Sequence, residues 1–166
     1  GASALCIGGG PAGLGIAQVL RAKGSDRVLL SEPSPLARQV IDAFEGFVVI
    51  DPGRQGVPSA VCAILGEHGG CQAVFDTVGI QETLDTALAV LAESGIYVNV
   101  AVHSTDFTFN ALELGAERIL TSSCNSSYSD IARAAALIDA GAVDVKPWIT
   151  HRMPLEEVNR AFELLL

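Results

Sequence analysis

Residues 4–24 read ALCIGGGPAGLGIAQVLRAKG. A short apolar run ends in Gly8-Gly9-Gly10-Pro11-Ala12-Gly13, a G-x-G-x-x-G, and apolar residues then recur at helical spacing (Leu14, Ala17, Leu20). Few local structures accept that order. The run at 4–7 reads as a strand, the glycines as a tight turn, and 12–23 as a helix that Gly24 stops. Such a turn gathers free backbone N–H groups at the positive end of a helix dipole. That is a place for an anion, and for a pyrophosphate in particular.

The rest of the chain continues the alternation. Strands are expected at 27–32, 47–50, 73–76, 95–102 and 118–122, with helices at 34–44, 57–65, 81–91, 129–140 and from Leu155 onward. Ser34-Pro35 supplies an N-cap and a first helical residue, and Asn110 opens a short helix to Leu114. Strand–helix alternation predicts a doubly wound parallel sheet with helices on both faces. Six strands in two halves give an α/β, Rossmann-type architecture with expected order 3-2-1-4-5-6. No repeat, linker or low-complexity tract divides residues 1–166, so a single dinucleotide-binding domain is expected.

Each glycine of the loop has a task. Gly8 allows the turn out of the strand, Gly10 lets a ligand approach the backbone, and Gly13 lets helix and sheet pack closely. Pro11 has no N–H to donate, so the amides of Ala12 and Gly13 are the better phosphate donors. Glu32 stands 19 residues after Gly13, at the end of the second strand. An acid at that distance hydrogen-bonds the ribose diol and repels a 2′-phosphate, which favours NAD over NADP. The plainer alternative is a tight turn followed by a solvated glutamate. Arg38, six residues past Glu32, either reaches the adenosine end and softens that preference or is an ordinary solvated helix arginine.

Composition excludes other classes. The 166 residues are 49% hydrophobic and 17% charged, with a formal net charge of −9 and no basic cluster, so nucleic acid is not an expected partner. No apolar stretch approaches the ~18 residues of a membrane span, and no secretory leader is visible. Cys6, Cys62, Cys71 and Cys124 are separated by 56, 9 and 53 residues. No C-x-x-C or zinc-knuckle spacing results, and the four are expected as reduced thiols packed like small hydrophobes in a cytoplasmic protein.

Three cofactor families use such a loop. Short-chain dehydrogenases need a Tyr-x-x-x-Lys pair, but Ala101 follows Tyr97 and Ala132 follows Tyr128 at that spacing. Flavoproteins interrupt the first βαβ unit, which this chain does not, so FAD stays a minority alternative. Downstream, AVFDTVG (73–79), ALAVLAESGIYVNVAV (87–102), RILTSS (118–123) and ITHRMPLEEVNRAFELL (149–165) follow in order. With the glycine loop, with SEPS at 31–34 and with ITHR ahead of PLEE, nearly the whole chain resembles the coenzyme domain of zinc-type medium-chain alcohol and polyol dehydrogenases. The branch it is most similar to is that of butanediol, sorbitol and threonine dehydrogenases.

The resemblance implies NAD as cofactor, with Gly8, Gly10 and Gly13 as loop glycines and Glu32 as the ribose ligand. Thr77 and Val78 would line the adenine side. Val102 at the end of strand five, and Ser123 and Asn125 after strand six, would stand near the nicotinamide. It also implies reversible hydride transfer between NAD and a secondary alcohol or diol, with zinc as Lewis acid. The family's zinc ligands precede its glycine loop, and the sequence carries no Gly-His-Glu and no paired Cys/His set. Zinc is therefore expected only in a catalytic domain outside this sequence, and the chain alone is expected to be inactive. It reads as a fragment of a longer enzyme; a free-standing, non-catalytic NAD-binding module is the alternative. Family dimers pair the sixth strand across a two-fold axis, so residues 118–123 are expected to form a homodimer edge. His103 and His151 are read as polar or structural residues rather than catalysts.

Overall fold

A period of two organises the centre of the molecule. In β1 (Ser3–Ile7), Leu5 and Ile7 join one apolar cluster and Cys6 the other; in β2 (Arg27–Ser31), Leu29 joins the first and Val28 and Leu30 the second. Strands apolar on both faces have to be covered on both faces. The computed structural model, which describes residues 2–67, 69–102 and 104–164, shows how. With β3 (Phe47–Ile50), β4 (Cys71–Asp76), β5 (Leu91–Asn99) and β6 (Ile119–Ser122), the strands form one parallel sheet ordered β3-β2-β1-β4-β5-β6.

Two helices cover each central face. Leu14 and Ala17 of α1 (Pro11–Ala22) and Ile41 of α2 (Pro35–Ile41) close over Cys6, Val28 and Leu30. On the other face, Val57, Ala60 and Val61 of α3 (Val57–Leu65) and Leu84, Ala87 and Leu88 of α4 (Gln81–Val90) close over Leu5, Leu29 and Val74. Beyond β6 come α5 (Tyr128–Asp139), capped by the side chain of Ser127, and the short α6 (Val158–Glu163). No described helix is long and apolar enough to cross a membrane.

Several expectations move. The fifth strand starts earlier than expected and stops at Asn99, where the side-chain oxygen accepts from Ala101 N–H (3.1 Å) and turns the chain away. Val102 therefore does not end a strand; it lies three residues further on and is 82% exposed. Arg118 stands just outside β6 and points its guanidinium at the carbonyls of Leu88, Leu91 and Glu113 (3.3, 2.6 and 3.0 Å). The last helix is one 3-10 turn, Leu155–Glu157, followed by α6. Of the cysteines, Cys6 and Cys71 are packed as expected, but Cys62 and Cys124 are exposed. His103 lies outside the described residues.

The late part of the chain returns to α1. Gln18 donates to Asp144 O (3.2 Å) and accepts from Asp144 N–H (2.7 Å), and the Trp148 ring lies against Gly15. Gln18 sits on the helix face that is otherwise apolar, and this reciprocal pairing satisfies it there.

Candidate functional site

The sheet order reverses between β1 and β4. β1 leads into α1 on one face and β4 into α4 on the other, so a crevice opens at their carboxyl ends, where open α/β sheets bind ligands. The turn out of β1 is held from both sides. Gly8 N–H donates to Ser31 O (2.9 Å), and Thr77 donates to Ile7 O from both its N–H (3.0 Å) and its Oγ1 (2.9 Å). Gly8 has φ +94°, and a Cβ there would strike Thr77 Oγ1. A Cβ on Gly13 would collide with Gly8 O. Both positions are glycine because of the protein's own packing.

Gly10 differs. It caps α1 with ordinary extended backbone (φ −68°), and a Cβ there would meet nothing within 4 Å. Nothing in the fold requires glycine at this position, whereas a ligand that must touch the backbone does. Gly10 also offers no side chain to cap the helix, so the N–H groups of Ala12 and Gly13, in the first turn, have no helical carbonyl opposite them. These features fit a pyrophosphate. Beside the loop lies a pocket of about 350 Å³ whose walls include Pro11, Leu14, Leu36, Val40 and Trp148 and no Lys or Arg. To an anion the loop beside this pocket offers backbone N–H groups rather than a basic side chain.

Glu32 directly follows β2 and is only 8% exposed. It is neither a solvated glutamate nor an idle one. Oε2 accepts from Gly9 N–H and Oε1 from Ser34 N–H, both at 2.7 Å. The carboxylate ties the glycine loop to the start of α2, where Ser34 Oγ accepts from Ala37 N–H (3.4 Å). Gly9 has to be small for this, because a Cβ would lie 2.9 Å from Glu32 Cβ. Each carboxylate oxygen has a second lone pair, so a ribose diol has acceptors left to use.

Arg38 is not a free arm. Nη1 donates to Glu32 O (2.8 Å) and Pro33 O (2.7 Å), and Nη2 pairs with Asp51 Oδ2 at 2.8 Å. Arg38 is therefore not an ordinary solvated helix arginine; it is braced under the turn after β2.

Asp76, the last residue of β4, carries a load the sequence reading did not assign. It is fully buried, yet Oδ1 accepts from Val78 and Gly79 N–H (2.9 Å each), and Oδ2 accepts from Thr83 Oγ1 (2.7 Å) and Tyr97 OH (3.0 Å). Burial, with the Asp76 charge beside it, pushes the Tyr97 hydroxyl well above its ordinary range, so the phenol remains a donor. The signal was an acid closing an apolar strand, AVFD. Ser123 N–H donates to Asn99 O (2.9 Å), and Asn125 has φ +64°; both residues are exposed, beyond the end of β6. Among the described residues, no three His, Cys, Asp or Glu side chains converge to hold a metal ion, so these residues do not fit a catalytic zinc.

Residues 11–145 match the family described as zinc-binding dehydrogenase. The chain belongs to the zinc-binding dehydrogenase family. Over 98% of its length it is 30% identical to 2-dehydro-3-deoxy-L-galactonate 5-dehydrogenase of Pseudoalteromonas atlantica, and it covers 47% of that protein. It is 28% identical to (R,R)-butanediol dehydrogenase of Saccharomyces cerevisiae, with 95% of this chain and 43% of that one covered. Among solved structures, a zinc-binding dehydrogenase of Sinorhizobium meliloti bound to NADP superposes with a TM-score of 0.87 at 24% identity, covering 97% of this chain and 48% of that one, a likeness of fold. This dehydrogenase-family chain thus spans about half the length of the curated relatives it matches.

Proposed function

We propose that this chain is the dinucleotide-binding part of an NAD(H)-dependent, zinc-type alcohol or polyol dehydrogenase. The observation that carries the reading is the pairing of Gly10, whose missing side chain serves nothing in the fold, with the buried Glu32 at the end of the neighbouring strand. The pyrophosphate would lie on the Ala12 and Gly13 amides and the ribose diol on Glu32. Thr77 and Val78 form the wall opposite. Ser123 and Asn125 stand on the nicotinamide side; Val102 lies further out. When bound, NAD supplies a hydride acceptor, and a small secondary alcohol or its ketone is the partner substrate. Relatives named for butanediol and galactonate-type substrates support that class. With no metal-holding cluster among the described residues, the chain by itself is proposed to bind NAD(H) without oxidising an alcohol.

The test is calorimetric titration with NADH and with NADPH, beside Glu32→Ala. NADH is expected to bind, and at least tenfold more weakly to the variant; failure of wild type to bind either nucleotide would overturn the reading. Among the described residues β6 pairs only with β5, and Ile119 is 53% exposed, which supports a homodimer through 118–123; a monomeric mass at every concentration in light scattering would remove it.

A further inference from the structure

At the end of β2 the chain carries two opposing cofactor signals. An acid there selects the 2′-hydroxyl of NAD, whereas a nearby arginine accommodates the 2′-phosphate of NADP. Glu32 is the acid and Arg38 the arginine, and they are linked: Arg38 Nη1 donates to the backbone oxygen of Glu32 itself (2.8 Å). What separates the two signals comes from the next strand. Ser31 pairs with Ile50, and Glu32 N–H donates to Ile50 O (3.0 Å), so β3 delivers Asp51 beside this corner. Asp51 Oδ2 holds Arg38 Nη2 at 2.8 Å, with both side chains about one-fifth exposed, and Oδ1 accepts from Gly53 N–H (3.0 Å), which fixes the carboxylate.

We propose that Asp51 is a specificity-determining residue that keeps this site selective for NAD(H) by withholding Arg38 from a 2′-phosphate. The proposal rests on the reading of Glu32 as the ribose ligand. Asp51 acts in two ways. It occupies one edge of the guanidinium that a phosphate would need for a bidentate contact. It also sets the local charge: Glu32 and Asp51 face Arg38 and the exposed Arg54, whose Nε lies 4.0 Å from the same Asp51 oxygen, and a 2′-phosphate would bring a third negative group to that corner. With Asp51 neutral, Arg38 balances Glu32 and has an edge to offer.

The experiment is fluorescence titration of the purified protein with NADH and NADPH in four forms: wild type, Asp51→Asn, Arg38→Gln and the double variant. Asparagine retains an oxygen for Gly53 N–H, and Asp51→Ser serves as a second replacement. In Asp51→Asn the NADPH-to-NADH affinity ratio is expected to rise about fivefold, the size of one partly exposed ion pair. That gain should vanish in the double variant, and Arg38→Gln alone should leave the ratio within about twofold of wild type. A ratio unmoved by Asp51→Asn, or a gain that survives removal of Arg38, overturns the proposal. A ratio that falls in Arg38→Gln alone also overturns it, because Arg38 would then already serve the phosphate; this arm stands even without a folded Asp51 variant. A wild type that binds neither nucleotide refutes the ribose reading and this proposal with it, whereas NADH binding with an unmoved ratio refutes only the proposal.

Discussion

Two glycines of one motif should part company under the same substitution. Gly13→Ala drives a methyl into Gly8 O and is expected to cost about 2 kcal/mol or more of stability. Gly10→Ala meets nothing and has a backbone angle any residue adopts, so its thermal midpoint should stay within about 2 °C of wild type while NADH affinity falls at least tenfold. Thermal melts and titrations of the two variants check this; a Gly10→Ala protein that binds normally would mean that no ligand approaches there. Gly8 and Gly13 were legible in the sequence because the turn and the close packing follow from short-range spacing, and the same spacing marks Gly10 and Glu32 for the ligand roles proposed above. The partners of Arg38 were not. Asp51 lies 13 residues further on, in another strand, and only the register of β2 against β3 brings the two together. Gly9 was missed for a similar reason: its smallness answers to the Glu32 side chain rather than to the turn.

At the scale of elements, Asp76 joins three of them. Its carboxylate finishes β4, fixes the turn into α4 through Val78, Gly79 and Thr83, and reaches Tyr97 in β5. Asp76→Ala leaves buried donors unpaired at several points and is expected to cost about 3–5 kcal/mol, read by denaturant unfolding. Asp76→Asn keeps one acceptor oxygen for the two amides and should recover part of that loss; equal damage from both variants would show that the charge, not the acceptor, matters. Strand order and most element bounds followed from alternation and from caps such as Ser34. β5 was misplaced because Glu93-Ser94-Gly95 reads as a break before the strand, and GIYVNVAV, apolar apart from Asn99, reads as its whole length. Its start depends on pairing with Cys71 in β4, and its end on one asparagine side chain folding back on the backbone.

The whole molecule should respond to alkali. Burial raises the Cys6 thiol to about 12 and the Cys71 thiol to about 11, from an ordinary 9.0. Raised folded values mean that the native state holds these protons after the unfolded chain has released them. Their contribution to stability is complete below about pH 9 and is lost as pH rises through 9 toward 11 and 12. The slope is at most about 1.4 kcal/mol per pH unit for each thiol. Melting midpoints should hold steady from pH 7 to 8.5 and fall above that, more shallowly in Cys71→Ala; a variant as steep as wild type would place the alkaline loss elsewhere, with Tyr97 the next group to examine.

The sheet order also bears on synthesis. β1 is made before the other five strands but lies between β2 and β4, and its second neighbour is complete only at Asp76. Until the ribosome has delivered that residue, any nascent sheet of the first three strands presents the unpaired edge of Ser3–Ile7 along one border, and the crevice has a single wall. The Gln18 clasp on Asp144 waits longer still. A growing chain thus shows its glycine loop to the cell well before it owns a finished pocket, and the strand beside that loop is the stretch that a chaperone has most reason to shield.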